Sequence, residues 1–302
     1  MKKHLSIAIA ACQSFGGVVC AGAVMLIASS TQAQNLFVAA WGNDLITEIT
    51  PSGAQSTFAS GFFEPEGLAF NSAGDLFVSA GAASGSIIQI TPGGVQSTFA
   101  SGLANPSGLA FNSTGDLFEA DDASGNIYEF TPGGVQSTFA SGLAHPFDLA
   151  FNSAGDLFVS DWESGSIVQI TPSGAQSTIA SGLVTPYGLA FDSAGNLFVV
   201  NFGSRSIIEI TPSGAQSTFA SGFTYPQYLA FNSAGDLFVS DWNNIYEITP
   251  SGAQSTFASA FGPPTGLAFQ GETLPVPEPS AVGLLGIGVT TALLVRRHRI
   301  RD

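Results

Sequence analysis

The sequence predicts an all-β protein: a six-bladed β-propeller with four antiparallel strands per blade, its ring closed 3+1 by N-terminal strands pairing with the C-terminal strand. Three observations predict it. The segment Pro-x-x-Leu-Ala-Phe recurs with its proline at Pro65, Pro106, Pro146, Pro186, Pro226 and Pro264, at spacings of 41, 40, 40, 40 and 38 residues. Each interval holds four short stretches bounded by turn residues, rich in β-branched and aromatic side chains and too short for helices. The two ends of the repeat region are out of phase, since the chain enters on a second-strand motif and leaves after a first-strand motif.

The copy beginning at Pro146 shows each element in order. Leu149-Ala150-Phe151 is the first strand, and Asn152-Ser153-Ala154-Gly155 a tight turn with glycine placed for positive φ. Asp156 to Ser160 is the second strand, and Ile167 to Thr171, after a variable loop, the third. Pro172-Ser173-Gly174 turns the chain with proline at its second position, and Gln176 to Ala180 is the fourth strand. A β-helix is the competing architecture, but its coils are shorter and lack four hairpin-type turns per repeat.

Counting strand types fixes blade number and closure. First strands occur six times, ending with Leu267-Ala268-Phe269; second strands occur six times, beginning with Asn35-Leu36-Phe37-Val38. Third strands start at Ile46, Ile87, Ile127, Ile167, Ile207 and Ile245, and fourth strands carry Phe58, Phe99, Phe139, Ile179, Phe219 and Phe257. One composite blade therefore takes its inner strand from residues 266–269 and its other three from residues 35–60, which removes two exposed sheet edges.

Three segments follow: a secretory signal over 1–33, the propeller over 34–272 and a sorting segment over 273–302. Lys2-Lys3-His4 is a basic start, followed by an apolar, small-residue stretch ending at Thr31-Gln32-Ala33, which reads as a signal cleaved after Ala33; an uncleaved anchor is the alternative. Cys12 and Cys20 both fall inside that stretch, so the domain that follows is free of thiols and disulfides. Val18-Val19 before Cys20 does not suit a lipidation site. Between Gln34 and Val276 lie 20 of the 22 acids and a single cation, Arg205, giving that segment a charge of −19. Such a surface repels nucleic acid and anionic headgroups and favours cations or neutral ligands.

Pro277-Glu278-Pro279 precedes the 15-residue apolar run Ala281 to Val295, and Arg296-Arg297-His298-Arg299 follows it. The run is marginal for a bilayer, where about 20 residues are usual, and the arginines place its tip in the cytoplasm. The order tripeptide, short span, basic tip resembles the PEP-CTERM sorting signal. That resemblance implies an exosortase that cuts near the tripeptide. It also implies export to the envelope, outer surface or matrix of a Gram-negative bacterium, with membrane contact only through this segment. A plain C-terminal anchor is the alternative.

The repeat itself, through Pro146-x-x-Leu149-Ala150-Phe151, the stretch Gly155 to Asp161 and the stretch Ile167 to Gly174, resembles the NHL family and the related gluconolactonase and streptogramin-lyase propellers. The likeness runs over nearly all of residues 35–269. It implies a fold that carries enzymes and binding modules alike.

In a propeller the first strand is innermost, so alternate turns emerge on opposite faces. One face carries the near-identical Asn-Ser-Ala-Gly and Thr-Pro-Ser-Gly turns; Asp75, Asp116, Asp156 and Asp236, with Asn196, follow the glycine there and read as turn caps. The other face varies from blade to blade. It brings Trp41, Glu64, Glu66, Asn105, His145, Asp148, Asp161, Trp162, Tyr187, Asn201, Phe202, Tyr228, Asp241 and Trp242, with Asp121, Asp122, Glu163, Arg205 and Tyr225. Asp148 and Tyr228 stand where other copies have Gly67, Gly108, Gly188 and Gly266.

This face admits three readings. Glu66, Asn105 and Asp148 are oxygen donors that would suit calcium rather than zinc, with acids solvated on a rim as the alternative. His145 beside Asp148 would form a general base, as a histidine does in streptogramin-lyase relatives. Aromatic rings flanked by acids and amides suit sugar rings or a protein partner, against tryptophans packing between blades. Phosphate-loop, nucleophile-elbow and paired-histidine motifs are absent. The near-identity of the repeats favours a binding or scaffold module without a cofactor, its ligand polysaccharide or a surface protein; the alternative is a metal-dependent lactonase or lyase.

Overall fold

The computed structural model describes residues 34–81 and 85–271; the expectations for the leader (1–33) and for the tail (273–302) lie outside them. Six four-stranded antiparallel sheets account for the described strands. Blade 1 joins β24 (Pro264–Phe269) to β1 (Leu36–Ala40), β2 (Leu45–Ile49) and β3 (Gln55–Ser60). Blade 2 is β4 (Pro65–Phe70), β5 (Leu76–Ala80), β6 (Gly85–Ile90) and β7 (Gln96–Leu103). Blade 3 is β8 (Pro106–Phe111), β9 (Leu117–Asp121), β10 (Asn126–Phe130) and β11 (Gln136–Ala140). Blade 4 is β12 (Pro146–Phe151), β13 (Leu157–Asp161), β14 (Ser166–Ile170) and β15 (Gln176–Ala180). Blade 5 is β16 (Pro186–Phe191), β17 (Leu197–Asn201), β18 (Ser206–Ile210) and β19 (Gln216–Ser221), with a 3-10 turn at Phe202–Ser204. Blade 6 is β20 (Pro226–Phe231), β21 (Leu237–Asp241), β22 (Asn244–Ile248) and β23 (Gln254–Ser259).

The ring closes as the strand count predicts. Leu36 pairs with Phe269, Phe37 with Ala268 and Val38 with Leu267. Gln270 N–H donates to Asn35 O at 3.1 Å, and the Gln34 amide nitrogen donates back to Gln270 O at 3.1 Å. First strands extend from the proline rather than from the leucine. Pro65 pairs with Ala80 before a bulge that precedes the Leu68–Val78 pair, and blades 3 to 6 repeat the pattern.

A phenylalanine relay packs blade to blade. Phe37 meets Phe58 of its own blade at 4.9 Å and Phe70 of the next at 5.0 Å, both edge-on. Phe77, Phe118, Phe198 and Phe238 repeat this geometry, and Phe158 keeps only its Phe191 partner because Ile179 replaces the outer ring. Edge-to-face pairs add stability beyond the apolar area they bury. The Phe238–Phe269 pair, at 4.9 Å, carries the relay across the closure.

The outer strands handle their exposed edges by irregularity. Every third–fourth strand pairing holds a bulge, as between Ile46 and Thr47 in blade 1, which twists the edge away from further pairing. Gln55, Gln96 and Gln176 each donate a side-chain N–H to a carbonyl at the end of the preceding blade's outer strand.

On the turn face the repeated sequence does local work. Asn71 Oδ1 accepts N–H bonds from Ala73 and Asp75 at 3.0 and 2.8 Å, and Gly74 takes φ 86°. Asp75 Oδ2 accepts from the Asn71 and Gln89 amides at 3.2 and 2.9 Å, so this acid braces its hairpin, as Asp156 does in blade 4.

Candidate functional site

The opposite face, the mouth, starts from the first strands. They approach so closely that a Cβ at Gly67 would stand 2.1 Å from Ser107 O, and one at Gly266 2.1 Å from Glu66 O. Glycine is required there by contact between backbones, and the two copies with side chains are distinctive for that reason. Asp148 is buried between blades 4 and 5; its Oδ2 accepts the Leu189 N–H at 2.7 Å and its own N–H donates to Ser160 Oγ at 3.0 Å. This carboxylate therefore has a packing role that the sequence did not reveal. Burial pushes it up to about 7, against the lowering effect of the Leu189 and Leu149 N–H groups.

Tyr228 is 4% exposed and its Oη has no hydrogen-bond partner among the described residues. Burial first, then the fields of Glu66, Asp148, Tyr187 and Asp122, raise its phenol well above the usual range, which places these groups around one centre. Glu66 keeps part of its surface open but sits deep in the concave mouth. Desolvation, followed by repulsion from Asp122, Asp148 and Glu64, pushes it up to about 8. The mouth thus holds two carboxyl groups that carry protons near neutrality and can donate as well as accept hydrogen bonds.

Asp122 organises the rim beside them. Its Oδ1 accepts Trp162 Nε1–H at 2.9 Å and shares a hydrogen bond of 2.9 Å with His145 Nδ1; its Oδ2 accepts Asn105 Nδ2–H at 2.9 Å. The His145 ring lies 4.8 Å from that of Trp162, and its Nε2 is 3.4 Å from Glu163 Oε2. The partner of His145 is therefore Asp122 of the preceding blade and not Asp148. Asp148 sits inside β12 and faces the ring of first strands, whereas His145 lies in the loop before it.

Asp161, Asn201 and Asp241 are buried at the ends of second strands, where their oxygens accept backbone N–H groups. Asp161 accepts the N–H groups of Ala144 and His145 at 2.8 and 3.1 Å. Asn201 accepts that of Val184 at 2.7 Å, and Asp241 those of Thr224 and Tyr225. Asp121 does the same for Ala104 in blade 3. Each holds the loop that leads into its own blade, which leaves the side chains of those loops free to face outward.

Those side chains form a continuous aromatic run. Trp242 lies 4.9 Å from Tyr225, Tyr225 5.9 Å from Phe202, and Phe202 4.8 Å from Tyr187. Tyr187 stacks on Phe147 at 4.2 Å and 15°, and Phe147 reaches Tyr228 at 5.3 Å. Arg205 stands 5.9 Å over Tyr225. Two of the tryptophans lie open, Trp41 46% and Trp242 48% exposed, whereas Trp162 is half-buried and bridges to Asp122 of the preceding blade. On the far side of the mouth, Trp41, Glu64, Glu66, Asn105 and Pro106 line a pocket of about 210 Å³. A larger concavity of about 360 Å³ opens between Phe62, Phe63, Ile88 and Gln96 and holds no charged group.

The backbone separates the two faces further. Asp44, Glu64, Thr185, Arg205, Trp242 and Ala260 are the non-glycine residues with positive φ among those described, and all lie in mouth-face loops. The turn face puts its positive φ on glycines such as Gly53, Gly74 and Gly94. A side chain in the left-handed region costs about 1–2 kcal/mol, and such outliers gather where loops present side chains for use.

As to a metal, among the described residues no three His, Cys, Asp or Glu side chains are arranged to hold one. Of the oxygen donors the sequence proposes, Asn105 is tied to Asp122 and Asp148 to Leu189, while Glu66 accepts no hydrogen bond from the described residues. Asp122, Phe147 and Tyr225 are the site residues the sequence undervalued. Their importance comes from contacts between neighbouring blades, which one repeat taken alone does not display.

Residues 275–299 match the PEP-CTERM protein-sorting motif. No curated protein matches the sequence. Among solved structures the chain is similar to a nidogen/laminin complex chain, with TM-score 0.71 and 19% identity over 78% of this chain and 98% of that one. It is also similar to virginiamycin B lyase from Staphylococcus aureus, with TM-score 0.61 and 19% identity over 78% and 87% of the two chains. A gluconolactonase-like protein gives TM-score 0.62 and 20% identity over 76% and 88%. At these identities the likeness shows the fold and leaves binding module and enzyme side by side. The chain is a six-bladed β-propeller bearing a PEP-CTERM sorting motif, and with that motif the address of an exported protein of the Gram-negative cell envelope.

Proposed function

We propose that the propeller is a surface binding module whose mouth face holds a neutral or basic polysaccharide. The observation that carries this reading is the unbroken aromatic run from Trp242 to Phe147. Flat apolar rings suit the C–H faces of successive sugar units. The protonated carboxyl of Glu66 and the Asp122 cluster would meet their hydroxyls with both donors and acceptors. The net charge of −19 over residues 34–276 argues against an acidic polymer. Asn105, His145 and Trp162 are each anchored by Asp122, which suits a preorganised binding surface.

Calcium-dependent lactone or ester cleavage at the same mouth is the competing reading, resting on Glu66, Asp148 and the His145–Asp122 pair. A glycan array probed with residues 34–276, with and without calcium, separates the two. Capture of neutral or amino-sugar polymers without calcium, lost in Tyr225→Ala and Trp242→Ala, is the expected result. Silence on every glycan, together with calcium-dependent turnover of a lactone panel that Asp148→Ala abolishes, would replace binding with catalysis.

A further inference from the structure

We propose that the propeller is mounted by its turn face: the repeated hairpins look toward the surface that the sorting tail fastens to, and the mouth looks away from it. This goes beyond the binding reading and does not depend on which ligand the mouth takes.

The topology supplies the first step. β24 ends at Phe269 beside Leu36, at the end of blade 1 where first and second strands join on the turn face. Gln34 fastens this corner twice: its amide nitrogen donates to Gln270 O at 3.1 Å, and its Oε1 accepts the Ser233 N–H at 3.0 Å. Ser233 belongs to the Asn232–Gly235 turn of blade 6, one of the repeated hairpins. The chain therefore leaves the domain at the turn face, from a point fixed by hydrogen bonds to two blades.

Length supplies the second step. The sorting motif begins at residue 275, and Pro277 is six residues beyond Gly271. Even fully extended, six residues reach no more than about 20 Å. A compact domain of this size has a radius of gyration of about 18 Å, hence a diameter of roughly 45 Å. The tether is shorter than the domain is wide, so the mouth cannot turn to the attachment surface while the tail holds. With the tail whole, the apolar run starts at Ala281, ten residues beyond Gly271, and the reach of about 36 Å still falls short of that width.

Chemistry supplies the third. The turn face carries Asp75, Asp116, Asp156, Asp192 and Asp236 and, among the described residues, no Lys or Arg, so it does not adhere to an anionic surface. The orientation comes from the tether and not from adhesion. The division of labour between the faces then has a cause. The hairpins nearest the attachment surface need only to fold, and they repeat, whereas the loops that meet the exterior differ.

Single cysteines test this, because the domain has none of its own. Ala154→Cys and Ala194→Cys sit on exposed turn-face hairpins, and Ala123→Cys and Val184→Cys on exposed mouth-face loops. The full chain, displayed on cells with its sorting machinery, is treated with a bulky, membrane-impermeant maleimide. Ala123→Cys and Val184→Cys are expected to label at least tenfold faster than the turn-face pair, and all four alike once the domain is released by protease. A flexible insert of some 30 residues after Gly271 is expected to erase the difference. Equal rates on the cell, whether fast or slow, or faster labelling of the turn face, would overturn the proposal. So would a difference that survives the insert.

Discussion

Asp148 replaces a glycine that the neighbouring copies need for close strand packing, and the replacement has a measurable cost. Its folded carboxyl titrates near 7, far above an ordinary aspartate, because burial outweighs the bonds from Leu189 and Leu149. The folded state thus binds a proton that the unfolded chain has already released between about pH 4 and 7. Stability should fall across that window by up to about 1.4 kcal/mol per pH unit. Asp148→Asn keeps an oxygen for the Leu189 N–H and removes the titration, so its denaturation midpoint should change less between pH 5 and 8 than the parent's. An unchanged slope would show that Asp148 is not the group responsible. The sequence marks Asp148 as anomalous because glycine fills its place in four other copies, yet its partner Leu189 lies on the next blade and is invisible in a single repeat. Asp122 is harder still to recognise: it reads as one of several loop acids until Trp162, 40 positions on, is seen to donate to it.

At the scale of the strand, β9 departs from its siblings. Val38, Val78, Val159, Val199 and Val239 occupy one position of the second strand, and blade 3 puts Glu119 there. Glu119 is fully buried, both its oxygens lack partners among the described residues, and desolvation, with Asp121 adding to it, holds its carboxyl well above the usual range. A buried group without a partner costs about 1–3 kcal/mol. Glu119→Val should therefore raise Tm by several degrees, as followed by thermal unfolding at pH 7, with a larger gain at pH 8 than at pH 5. A loss of stability would mean that Glu119 has a partner or a task in the folded protein. The strands themselves were legible because apolar alternation and turn residues repeat six times, and turns such as Asn71–Asp75 form the bonds their residue types suggest. Start points were less legible: first strands begin at the proline, and a bulge before the leucine hides the pairing from any strict alternation.

For the whole molecule, the ring is only as stable as its seam. Phe269 closes the phenylalanine relay against Phe238 and pairs with Leu36 across the junction of the two ends. Phe269→Ala should cost about 3–5 kcal/mol, as a large core truncation does. Removing everything after Pro275 should leave urea unfolding unchanged; equal losses from the two changes would argue against closure at this seam. The phase shift between the ends of the repeat made the seam readable from sequence. The split of the mouth into an aromatic arc over blades 4 to 6 and an acidic sector over blades 1 to 4 was not readable, because it depends on how rings from separate loops meet. The three tryptophans, Trp41, Trp162 and Trp242, all lie on the mouth face, so the domain carries its own reporter of binding there. The direct measurement is tryptophan emission of residues 34–276 titrated with a neutral polysaccharide beside calorimetry of the same mixture. The expected result is a saturable emission change whose midpoint matches the calorimetric one and whose amplitude drops in Trp242→Phe. Calorimetric binding with unaltered emission would place the ligand away from the mouth and contradict the account.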